Sequence, residues 1–472
     1  MESIRGLEVR VSHLEEQVNQ NSQNSSRPPS NDGFGAAKAP QKSKGVRPRG
    51  AQPGHPGHSR KLYPPDACQS IVEHRPETCA HCGEGLSGED PAPYRHQIVE
   101  LPPIVPIVIE HRLHALSCEH CGETTRSRLP PAVHPGGYGE RLSAVVALLS
   151  GAYRQSHQQV KTCLAALFGI EMSTGSINRL RREVSDALAH PVAEAQAYVQ
   201  GEAVIHSDET GFRQGNSDGQ NATKKRGWLW VLVTPVVSVF TILLSRSQAA
   251  AQSLMGEAFD GIVVSDRYSA YNWIDLSQRQ VCWAHLKRDF TRIAERQGVS
   301  QEIGEGLLNQ EKALFELWYQ VRDGTLSRTT FAERVHPIRA ALNALLEEGA
   351  SYAIGPKEQT PLAKTVRTCQ QLLRVEPALW TFVTVAGVEP TNNIAERALR
   401  PGVLWKHISF GAESQAGSEF VARMLTTVTS LSAQQRDILD FLTQTYRATR
   451  LGQVSPSLLP LPMVERETPL SS

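Results

Sequence analysis

The sequence lacks a long uninterrupted run of apolar residues. Its longest apolar stretch, residues 228–244, is broken by Thr234, Pro235 and Ser238, whereas a membrane-spanning helix needs about 20 consecutive apolar residues. The first ten residues, MESIRGLEVR, alternate charged and apolar positions and lack the continuous apolar core of a secretory signal. We therefore expect a cytoplasmic protein that does not enter a membrane.

Cysteine is too sparse and too unevenly spaced for a disulfide scaffold. Four of the eight cysteines form two close pairs, and the others, Cys68, Cys163, Cys282 and Cys369, are scattered along the chain. Small secreted domains held by disulfides have denser and more regular cysteine patterns. A reducing compartment fits this usage best.

The chain also lacks a strong net charge, at +1 with histidine neutral, but its charges are unevenly distributed. No acidic residue lies between Asp32 and Asp66. That interval contains seven basic residues, Lys38, Lys42, Lys44, Arg47, Arg49, Arg60 and Lys61. A basic stretch without acids favours binding to a polyanion.

The N-terminal segment has two parts with different patterns. Apolar residues with the 3, 4, 3, 4 spacing of a coiled coil are Ile4, Leu7, Val11, Leu14 and Val18, so residues 1–20 predict a short dimerising coiled coil. A frayed amphipathic helix is the alternative, because two heptads are marginal alone. Residues 21–65 are rich in Asn, Ser, Pro, Gly and basic residues, which predicts a disordered basic linker.

Two near-identical cysteine motifs follow the linker. Cys79-Ala-His-Cys82-Gly-Glu and Cys118-Glu-His-Cys121-Gly-Glu each offer two thiolates in a turn relieved by glycine. Two such turns complete a closed tetrahedral site, so we predict one structural zinc and a zinc-binding domain over residues 66–130. Redox dithiols or two unrelated turns would not explain why the pattern occurs twice.

Residues 131–198 predict three helices in the order of a helix-turn-helix. Residues 142–149 and 160–168 have helical periodicity, Gly169 ends the second helix, and Ser173 can cap a third over residues 174–188. The third helix carries basic residues, including Arg179 and Arg182, that could contact DNA. An ordinary helical hairpin with a solvated basic face is the alternative.

The pattern after residue 198 predicts a sheet with acids at two strand ends. A strand over residues 203–208 ends at Asp208, two further strands cover residues 228–234 and 236–244, a helix covers 249–259, and a strand over 261–266 ends at Asp266. Three strands, a helix and a fourth strand is the order of the ribonuclease H fold. In that topology the first and fourth strands are neighbours, so Asp208 and Asp266 would meet at one edge. We assign residues 199–283 to the first part of this core.

Two carboxylates at one sheet edge suit two-metal phosphodiester chemistry. One ion lowers the pKa of the attacking oxygen and the other stabilises the leaving oxygen. Hard oxygen ligands favour Mg²⁺ or Mn²⁺, two per active site.

A third carboxylate must come from a later helix. Glu376 and Glu389 each precede a proline, which disfavours helical backbone. Asn392 or Asn393 can cap a helix with Glu396 in its first turn. Arg400 follows one turn later and could pair with Glu396 or reach a DNA phosphate.

Asp266 and Glu396 are 130 residues apart, more than a ribonuclease-H-like core without an insertion needs. Helical periodicity over residues 307–318, 331–346 and 362–373 predicts a helical insertion spanning 284–388, with the second part of the core at 389–447 and a tail at 448–472. At the entrance to the insertion lies Cys282-Trp-Ala-His285. We predict His285 near the scissile phosphate and Trp283 stacked on an unpaired base; core packing is the competing interpretation for both.

These landmarks together resemble the IS66 family of insertion-sequence transposases. The stretches NSQNSSRPPSNDG, RGAQPGHPGH, HSDETGFR, VVSDRYSAYN, VCWAHLKRDF, TNNIAERALRP and WKHISFGAESQAGSEF occur in the order that the family has, around the two cysteine motifs. The resemblance implies a bacterial DDE transposase and makes Asp208, Asp266 and Glu396 its three acids. Thr391 stands where relatives often have Asp, which we expect to alter a helix cap rather than catalysis.

The expected architecture is therefore a multidomain α/β protein. A ribonuclease-H-like mixed-sheet core with a helical insertion follows a zinc-binding domain and a helix-turn-helix-like segment. The resemblance implies binding to terminal inverted repeats and target DNA as a homo-oligomer. Whether small accessory proteins of the same element are also partners stays open. The residues predicted to contact DNA are Lys42, Lys44, Arg47, Arg49, Arg179, Arg182, Trp283, Arg397, Arg400 and Lys406. Two alternatives stay open, a nuclease that cuts without joining and a domesticated DNA-binding protein.

Overall fold

The computed structural model describes residues 60–131 and 133–460, together with residues 11, 20 and 24. The chain divides into two compact units, Ala37–Pro106 and the remainder, Met1–Ala36 with Ile107–Ser472. The predicted coiled coil and most of the basic linker, including Lys42, Lys44, Arg47 and Arg49, lie outside the described residues. None of the described helices is long and apolar enough to cross a membrane.

The smaller unit has little regular structure among its described residues. A short 3₁₀ turn covers Pro65–Ala67, and an isolated bridge pairs Thr78 with Gly85. The Gln97 amide ties two segments together, because it accepts from the Tyr63 backbone N–H at 2.9 Å and donates to the Tyr63 carbonyl oxygen at 2.9 Å. Local turns and side-chain hydrogen bonds, rather than a sheet, organise these residues.

The larger unit begins with a hairpin and a group of helices. The hairpin pairs β1 (Ala115–Ser117) with β2 (Thr124–Arg126). The helices are α1 (Glu140–Ser150), α2 (His157–Phe168), α3 (Thr174–Ala187) and α4 (Ala189–Gln200). Gly169 ends α2 in the left-handed conformation, at φ 63° and ψ 25°, and the Ser173 side chain caps α3. The predicted three-helix order with its glycine turn and serine cap is confirmed.

A mixed five-stranded sheet forms the centre of the larger unit. Its strands are β3 (Val204–Gly211), β4 (Trp228–Val233), β5 (Ser238–Leu243), β6 (Ile262–Ser265) and β7 (Arg279–Val281), and α5 (Gln248–Met255) connects β5 to β6. The spatial order is β5-β4-β3-β6-β7. β3 pairs antiparallel with β4 and parallel with β6. The predicted pairing of the first and fourth strands of this core is therefore confirmed.

The predicted helical insertion is also present. It consists of α6 (Trp283–Ala294), α7 (Val299–Arg322), α8 (Arg328–Ser351), α9 (Pro361–Arg374), a 3₁₀ turn (Glu376–Leu379) and the short α10 (Thr381–Thr384). These helices share one apolar cluster, in which the rings of Trp318, Phe331 and Phe382 lie 5.3–6.0 Å apart. Val264 of β6 and Val281 of β7 belong to the same cluster, so the insertion is packed directly against the sheet.

Three C-terminal helices complete the unit, α11 (Asn393–Ser409), α12 (Gln415–Ala433) and α13 (Ile438–Arg450). α11 packs on β3 and β4, and α12 packs on β5. Gly402 permits the close approach of α11, because a Cβ atom at this position would lie 2.3 Å from Leu229 Cδ2 on β4. This contact fixes how near the helix that carries Glu396 can lie to the sheet.

Candidate active site

The parallel pairing of β3 and β6 brings two aspartates to one edge of the sheet. The register pairs Val204 with Ile262 and His206 with Val264. Asp208 lies two residues after His206, and Asp266 directly follows β6, so continuing the register sets the two acids opposite each other. Burial raises the pKa of Asp208 well above its usual value, and nearby negative charges, including that of Asp266, raise it further. Such mutual repulsion is what a divalent cation would relieve.

β3 does not end at Asp208 as the sequence analysis expected. Its ladder with β4 continues through Asp208 opposite Val231 to Gly211 opposite Trp228. Side chains alternate along a strand, so Asp208 shares one face with His206 and Thr210, while Ser207 and Glu209 point to the other face. The acid is therefore held within a paired strand rather than in a loose turn.

Glu209 is a buried acid that sequence reasoning missed. Its carboxylate pairs with Arg246 at 2.6 Å and accepts a hydrogen bond from the Tyr271 hydroxyl at 2.6 Å. Burial raises the pKa of Glu209 and the charge of Asp266 adds to this effect, although the bonds from Tyr271 and Arg246 oppose it. Because its oxygens are already occupied, Glu209 serves to anchor β3 beneath the acid pair.

Glu396 lies in the first turn of α11, as predicted. Its Oε1 atom is 3.6 Å from His285 Nδ1, and its Oε2 atom is 3.8 Å from Arg288 Nη2. Arg288 thus takes the place at Glu396 that the sequence analysis offered to Arg400. Both Glu396 Oε1 and His285 Nδ1 are buried without a hydrogen-bond partner. Two orphaned polar atoms facing one another mark a place where a cation or a substrate oxygen would be accommodated.

Cys282 completes a compact group with these two residues. Among the described residues, the group of three potential ligand atoms that lie within 4.8 Å of one another is Cys282, His285 and Glu396. Burial raises the pKa of the Cys282 thiol to about 11, and Sγ already accepts from the Asn392 backbone N–H at 3.1 Å. A protonated, occupied thiol is a poor ligand for a hard cation, so the three carboxylates are the better donors.

Asn392 connects α11 to β3 beside the acids. Its side-chain Nδ2 donates to the Ser207 carbonyl oxygen at 2.8 Å, and its Oδ1 lies 3.1 Å from His206 Nδ1. Burial lowers the pKa of His206 to about 4, despite the opposing bond to Asn392, so the ring is neutral and donates from Nδ1. Asn392 occupies the N-cap position of α11, one of the two positions predicted, but its amide is committed to β3 and makes no side-chain cap bond.

Each of the two cysteine motifs folds into a turn of its own. In the first turn, the Cys79 carbonyl oxygen accepts from the Gly83 N–H at 2.9 Å, and the Cys79 N–H donates to the Glu84 carbonyl oxygen at 2.8 Å; Cys118 repeats both bonds with Gly122 and Glu123. The glycines have φ of 78° and 76°, which explains why glycine follows each motif. Backbone hydrogen bonds from the second cysteine of each turn lower the pKa of Cys79 and of Cys118, as thiolate ligation requires.

Comparison with known families matches both regions. The model described as Transposase IS66 family matches residues 136–420, more than half of the 472 residues and a range that includes all three acids. The chain belongs to the IS66 family of transposases. The model described as the zinc-finger binding domain of transposase IS66 matches residues 76–122, which include both cysteine pairs. This IS66-family transposase therefore has a zinc-finger domain ahead of its transposase domain, and its activity is directed at DNA. A family of unknown function matches residues 2–61.

Two relatives of this IS66-family transposase occur in Sinorhizobium fredii. The uncharacterized protein y4qI is 25% identical over 419 residues, covering 81% of this chain and 72% of the relative. The uncharacterized protein y4hP is 23% identical over 401 residues, covering 79% of this chain and 70% of the relative. Their names state no activity.

The residues predicted to contact DNA have different environments. Arg182 on α3 and Arg397 and Arg400 on α11 are exposed. Arg179 is held by Glu183 at 2.7 Å and by the Gly136 carbonyl oxygen at 3.0 Å. Lys406 is half-buried and donates to Thr210 Oγ1 at 2.8 Å, on the strand face that carries Asp208.

Trp283 is a core residue rather than a surface for a base. Its side chain is fully buried, its ring packs edge-on against Trp380 with centroids 5.2 Å apart, and its indole N–H donates to the Leu379 carbonyl oxygen at 2.8 Å. The predicted stacking role is therefore wrong, and the competing interpretation of core packing holds. Its neighbour His285, in contrast, reaches Glu396.

Proposed function

We propose that this protein is a DDE transposase that cuts DNA at the ends of its element and joins them to target DNA. The observation that supports the proposal is that two acids from distant parts of the chain, Asp266 and Glu396, raise the pKa of Asp208. Continuing the parallel register of β3 and β6 would set Asp208 beside Asp266, and Glu396 on α11 is close enough to raise the pKa of Asp208. The strand order, with an antiparallel trio followed by two parallel strands, supports a ribonuclease-H-like core.

The residues at this edge fit two Mg²⁺ or Mn²⁺ ions. Asp208, Asp266 and Glu396 supply hard oxygen donors, and Glu396 Oε1 is a buried acceptor with no protein donor. When bound, the ions would activate the attacking oxygen and stabilise the leaving oxygen of a phosphodiester. His285 and Arg288 lie next to the Glu396 carboxylate and would bind the scissile phosphate. Neutral His206 and Asn392 hold β3 and α11 in register.

We further propose that Cys79, Cys82, Cys118 and Cys121 hold one structural zinc. The supporting observation is the repeated turn. Cys79 and Cys118 make matching backbone hydrogen bonds, and a glycine with positive φ follows the second cysteine of each pair. Four thiolates complete a closed tetrahedral shell and contribute folding free energy directly. The zinc domain and the exposed face of α3, with Arg182, would recognise the terminal inverted repeats.

Sequence-independent affinity would come from other basic residues. Lys42, Lys44, Arg47 and Arg49 belong to a segment without acids, and lysine or arginine contacts to phosphates release counterions. Arg397 and Arg400 are exposed on α11, the helix of Glu396, so they would bind the phosphates that flank the cut. We propose that the protein acts as a homo-oligomer on DNA, since the ends of the element must be brought together.

The decisive experiment compares two glutamine substitutions. Glu396→Gln keeps the size and hydrogen bonding of the side chain but removes the charge that holds a metal. Glu389→Gln is the matched control, because Glu389 is exposed and precedes the same helix. With DNA carrying the ends of the element, Glu396→Gln should bind normally but lose cleavage and strand transfer, whereas Glu389→Gln should stay active.

The same assay separates the transposase from the alternatives. Near-normal cleavage by Glu396→Gln, in Mn²⁺ as well as Mg²⁺, would reject the assignment of the third acid. Cleavage that requires Glu396 but yields no joined product would indicate a nuclease instead. Binding without any cleavage by the unmodified protein would indicate a domesticated DNA-binding protein.

A further inference from the structure

A second candidate binding site lies beyond the acids, at the far end of β3. A cleft of about 730 Å³ opens there between two walls. One wall is the loop that joins β3 to β4, residues 212–227, and the other is the end of α11 with the residues that follow it. This volume is within the roughly 300–1,000 Å³ of sites that take small ligands or parts of larger ones.

The cleft is strongly basic. Its lining includes Arg213, Lys224, Lys225, Arg226, Lys406 and His407, whereas Glu413 is the one carboxylate in the lining. Among the described residues, none of these lysines and arginines forms an ion pair with an acidic side chain; Arg226 lies over the Trp228 ring at 4.7 Å, and Lys406 bonds Thr210. Five cations facing one carboxylate leave charge available for an anionic ligand such as phosphate.

An exposed aromatic ring lines the same cleft. Phe410 is 76% exposed, and its backbone has φ of 57° in the left-handed region that bulky residues rarely adopt. The following residues are fixed, because the Ala412 N–H donates to the Arg213 carbonyl oxygen at 2.9 Å and the Gly215 N–H donates to the Ala412 carbonyl oxygen at 2.8 Å. The chain thus holds an apolar ring in solvent on a strained but well-anchored backbone, which points to a ligand for that ring.

The cleft is in line with the three acids. Alternation along β3 puts Thr210 on the same face as Asp208, and Lys406, which bonds Thr210, lies on the same helix as Glu396. Three residues of strand from Asp208 to Gly211 span about 10 Å, and ten residues of helix from Glu396 to Lys406 span about 15 Å. A DNA strand that keeps the double-helical rise of about 3.4 Å per nucleotide up to the cleft would reach it about three or four nucleotides from the acids.

We propose that this cleft binds an unpaired nucleotide of the DNA strand that is cut, with its base stacked on Phe410. Lys224, Lys225 and Arg226 bind the adjoining phosphates. The inference rests on the transposase function proposed above and names the strand segment that the active site would hold. An unpaired nucleotide fits better than a duplex because a base inside a helix has no free face for Phe410, and stacking on an aromatic ring accepts any base.

The test measures binding of the full-length protein to a labelled single strand of about 12 nucleotides, within the ~4–16 nucleotides of known single-strand sites. Phe410→Ala should weaken binding about 5- to 150-fold, the range that stacking of one base on a ring gives. Phe410→Trp should keep the affinity, because it restores a ring. Leu404→Ala is the matched control, since Leu404 is an exposed apolar residue of α11 outside the cleft lining.

Charge and stability provide two further readouts. Replacing Lys224 and Lys225 together with glutamine should lower the salt slope of single-strand binding by about 1.4, at roughly 0.7 per cation. Phe410→Ala should not lower the thermal stability, because the ring is exposed and alanine bears the left-handed backbone no worse. Unchanged single-strand affinity in Phe410→Ala, or an equal loss in Leu404→Ala, would overturn the inference. A change of oligomeric state in Phe410→Ala with DNA affinity intact would also overturn it, by assigning the cleft to a protein contact.

Failure of the catalytic proposal would be recognised separately. Glu396→Gln should bind the single strand as tightly as the unmodified protein. Weaker binding by Phe410→Ala would support the nucleotide site even if Glu396→Gln cut DNA normally. Cleavage that depends on Glu396, with single-strand affinity independent of Phe410, would overturn the nucleotide site alone.

Discussion

The side-chain amide of Asn392 donates to the Ser207 carbonyl oxygen at 2.8 Å, across 185 residues of sequence. Ser207 immediately precedes Asp208, and Asn392 begins the helix that carries Glu396. This hydrogen bond therefore ties the strand of Asp208 to the helix of Glu396. Asn392 is buried, so this bond is shielded from bulk water.

Asn392→Ala should lower both stability and cleavage. The substitution leaves the Ser207 carbonyl oxygen and His206 without their partner, which costs about 1–3 kcal/mol for buried polar groups. Chemical denaturation should measure that loss, and cleavage should fall more than DNA binding because Glu396 is no longer held. Asn393→Ala is the control, since Asn393 is exposed. Equal stability of the two variants would show that the bond is not important.

Asp208→Asn should stabilise the metal-free protein at neutral pH while abolishing cleavage. The folded-state pKa of Asp208 is raised, first by burial and then by neighbouring acids. The unmodified protein therefore loses stability as the pH rises from the pKa of an unfolded aspartate, about 3.9, through the raised pKa of folded Asp208. Asparagine cannot ionise, so Asp208→Asn does not suffer this loss. Thermal unfolding in a chelator should show a higher Tm for Asp208→Asn above that window, by about 2–4 °C per kcal/mol, and no gain below it.

Added Mg²⁺ or Mn²⁺ should make the unmodified protein more stable than Asp208→Asn. The ions would stabilise the unmodified protein through binding to the folded state alone, and Asp208→Asn would respond weakly. A lower Tm for Asp208→Asn in chelator at neutral pH would contradict the repulsion inferred at the sheet edge.

Glu376→Gln should destabilise the insertion without removing catalysis. Burial alone would raise the pKa of Glu376, but Arg339, Asn343 and Trp380 bond its carboxylate and bring the net pKa below its usual value. Its stabilisation is therefore present above the unfolded pKa, about 4.3, and is lost as the pH falls through the folded one. We expect a loss of about 1–3 kcal/mol at neutral pH, which fades below about pH 4.

The control for Glu376 is Glu347→Gln, an exposed position on the same helix as Arg339. Urea unfolding at several pH values would provide the comparison. A pH-independent difference between the two variants would be inconsistent with an ionised, paired Glu376. Loss of cleavage by folded Glu376→Gln would reopen the choice of the third acid.

Metal analysis should find one zinc per chain. Replacing Cys79, Cys82, Cys118 and Cys121 with serine should remove it, together with the folding free energy that it supplies. Cys163→Ser is the control, because this half-exposed cysteine belongs to neither turn. Retention of zinc by the quadruple variant would rule out these ligands.

Glutamine in place of Lys42, Lys44, Arg47 and Arg49 should flatten the salt dependence of duplex binding. The slope should fall by about 0.9 for each DNA phosphate that the protein no longer neutralises. The substitution preserves the length of the segment, so any effect is due to charge. An unchanged slope would assign the electrostatic contacts to other residues.

Local sequence patterns predicted much of this fold. An apolar run broken by Thr234 and Pro235 identified β4 and β5. Ser173 and Gly169 identified helix boundaries, and a proline after each competing glutamate directed attention to Glu396. These features are local because backbone restrictions and capping depend on near neighbours. The end of β3 was misjudged at Asp208, because its last residues are polar and only pairing with β4 keeps them in the strand.

The environments of Trp283 and Phe410 depend on long-range packing, which local sequence patterns do not predict. Whether Trp283 faces solvent or core depends on Trp380 and Phe315, which lie far along the chain and enclose the ring. The cleft at Phe410 was not predicted, although Phe410 lies in one of the stretches that carry the family resemblance, since a phenylalanine before a glycine is an ordinary helix end. Its meaning depends on exposure and on a loop from residues 212–227 that supplies the cations.

The sequence separation between Ser207 and Asn392 also determines how long the ribosome takes to add one after the other. A ribosome adding about 5–20 residues per second needs roughly 10–40 s to progress from β3 to the start of α11, a distance of 185 residues. From the addition of Asp266 until Glu396 is added, the nascent chain has two of the proposed acids but not the third. If Glu396 is the third acid, as proposed, fragments released by a premature stop before Asn392 would lack it and should not cut DNA.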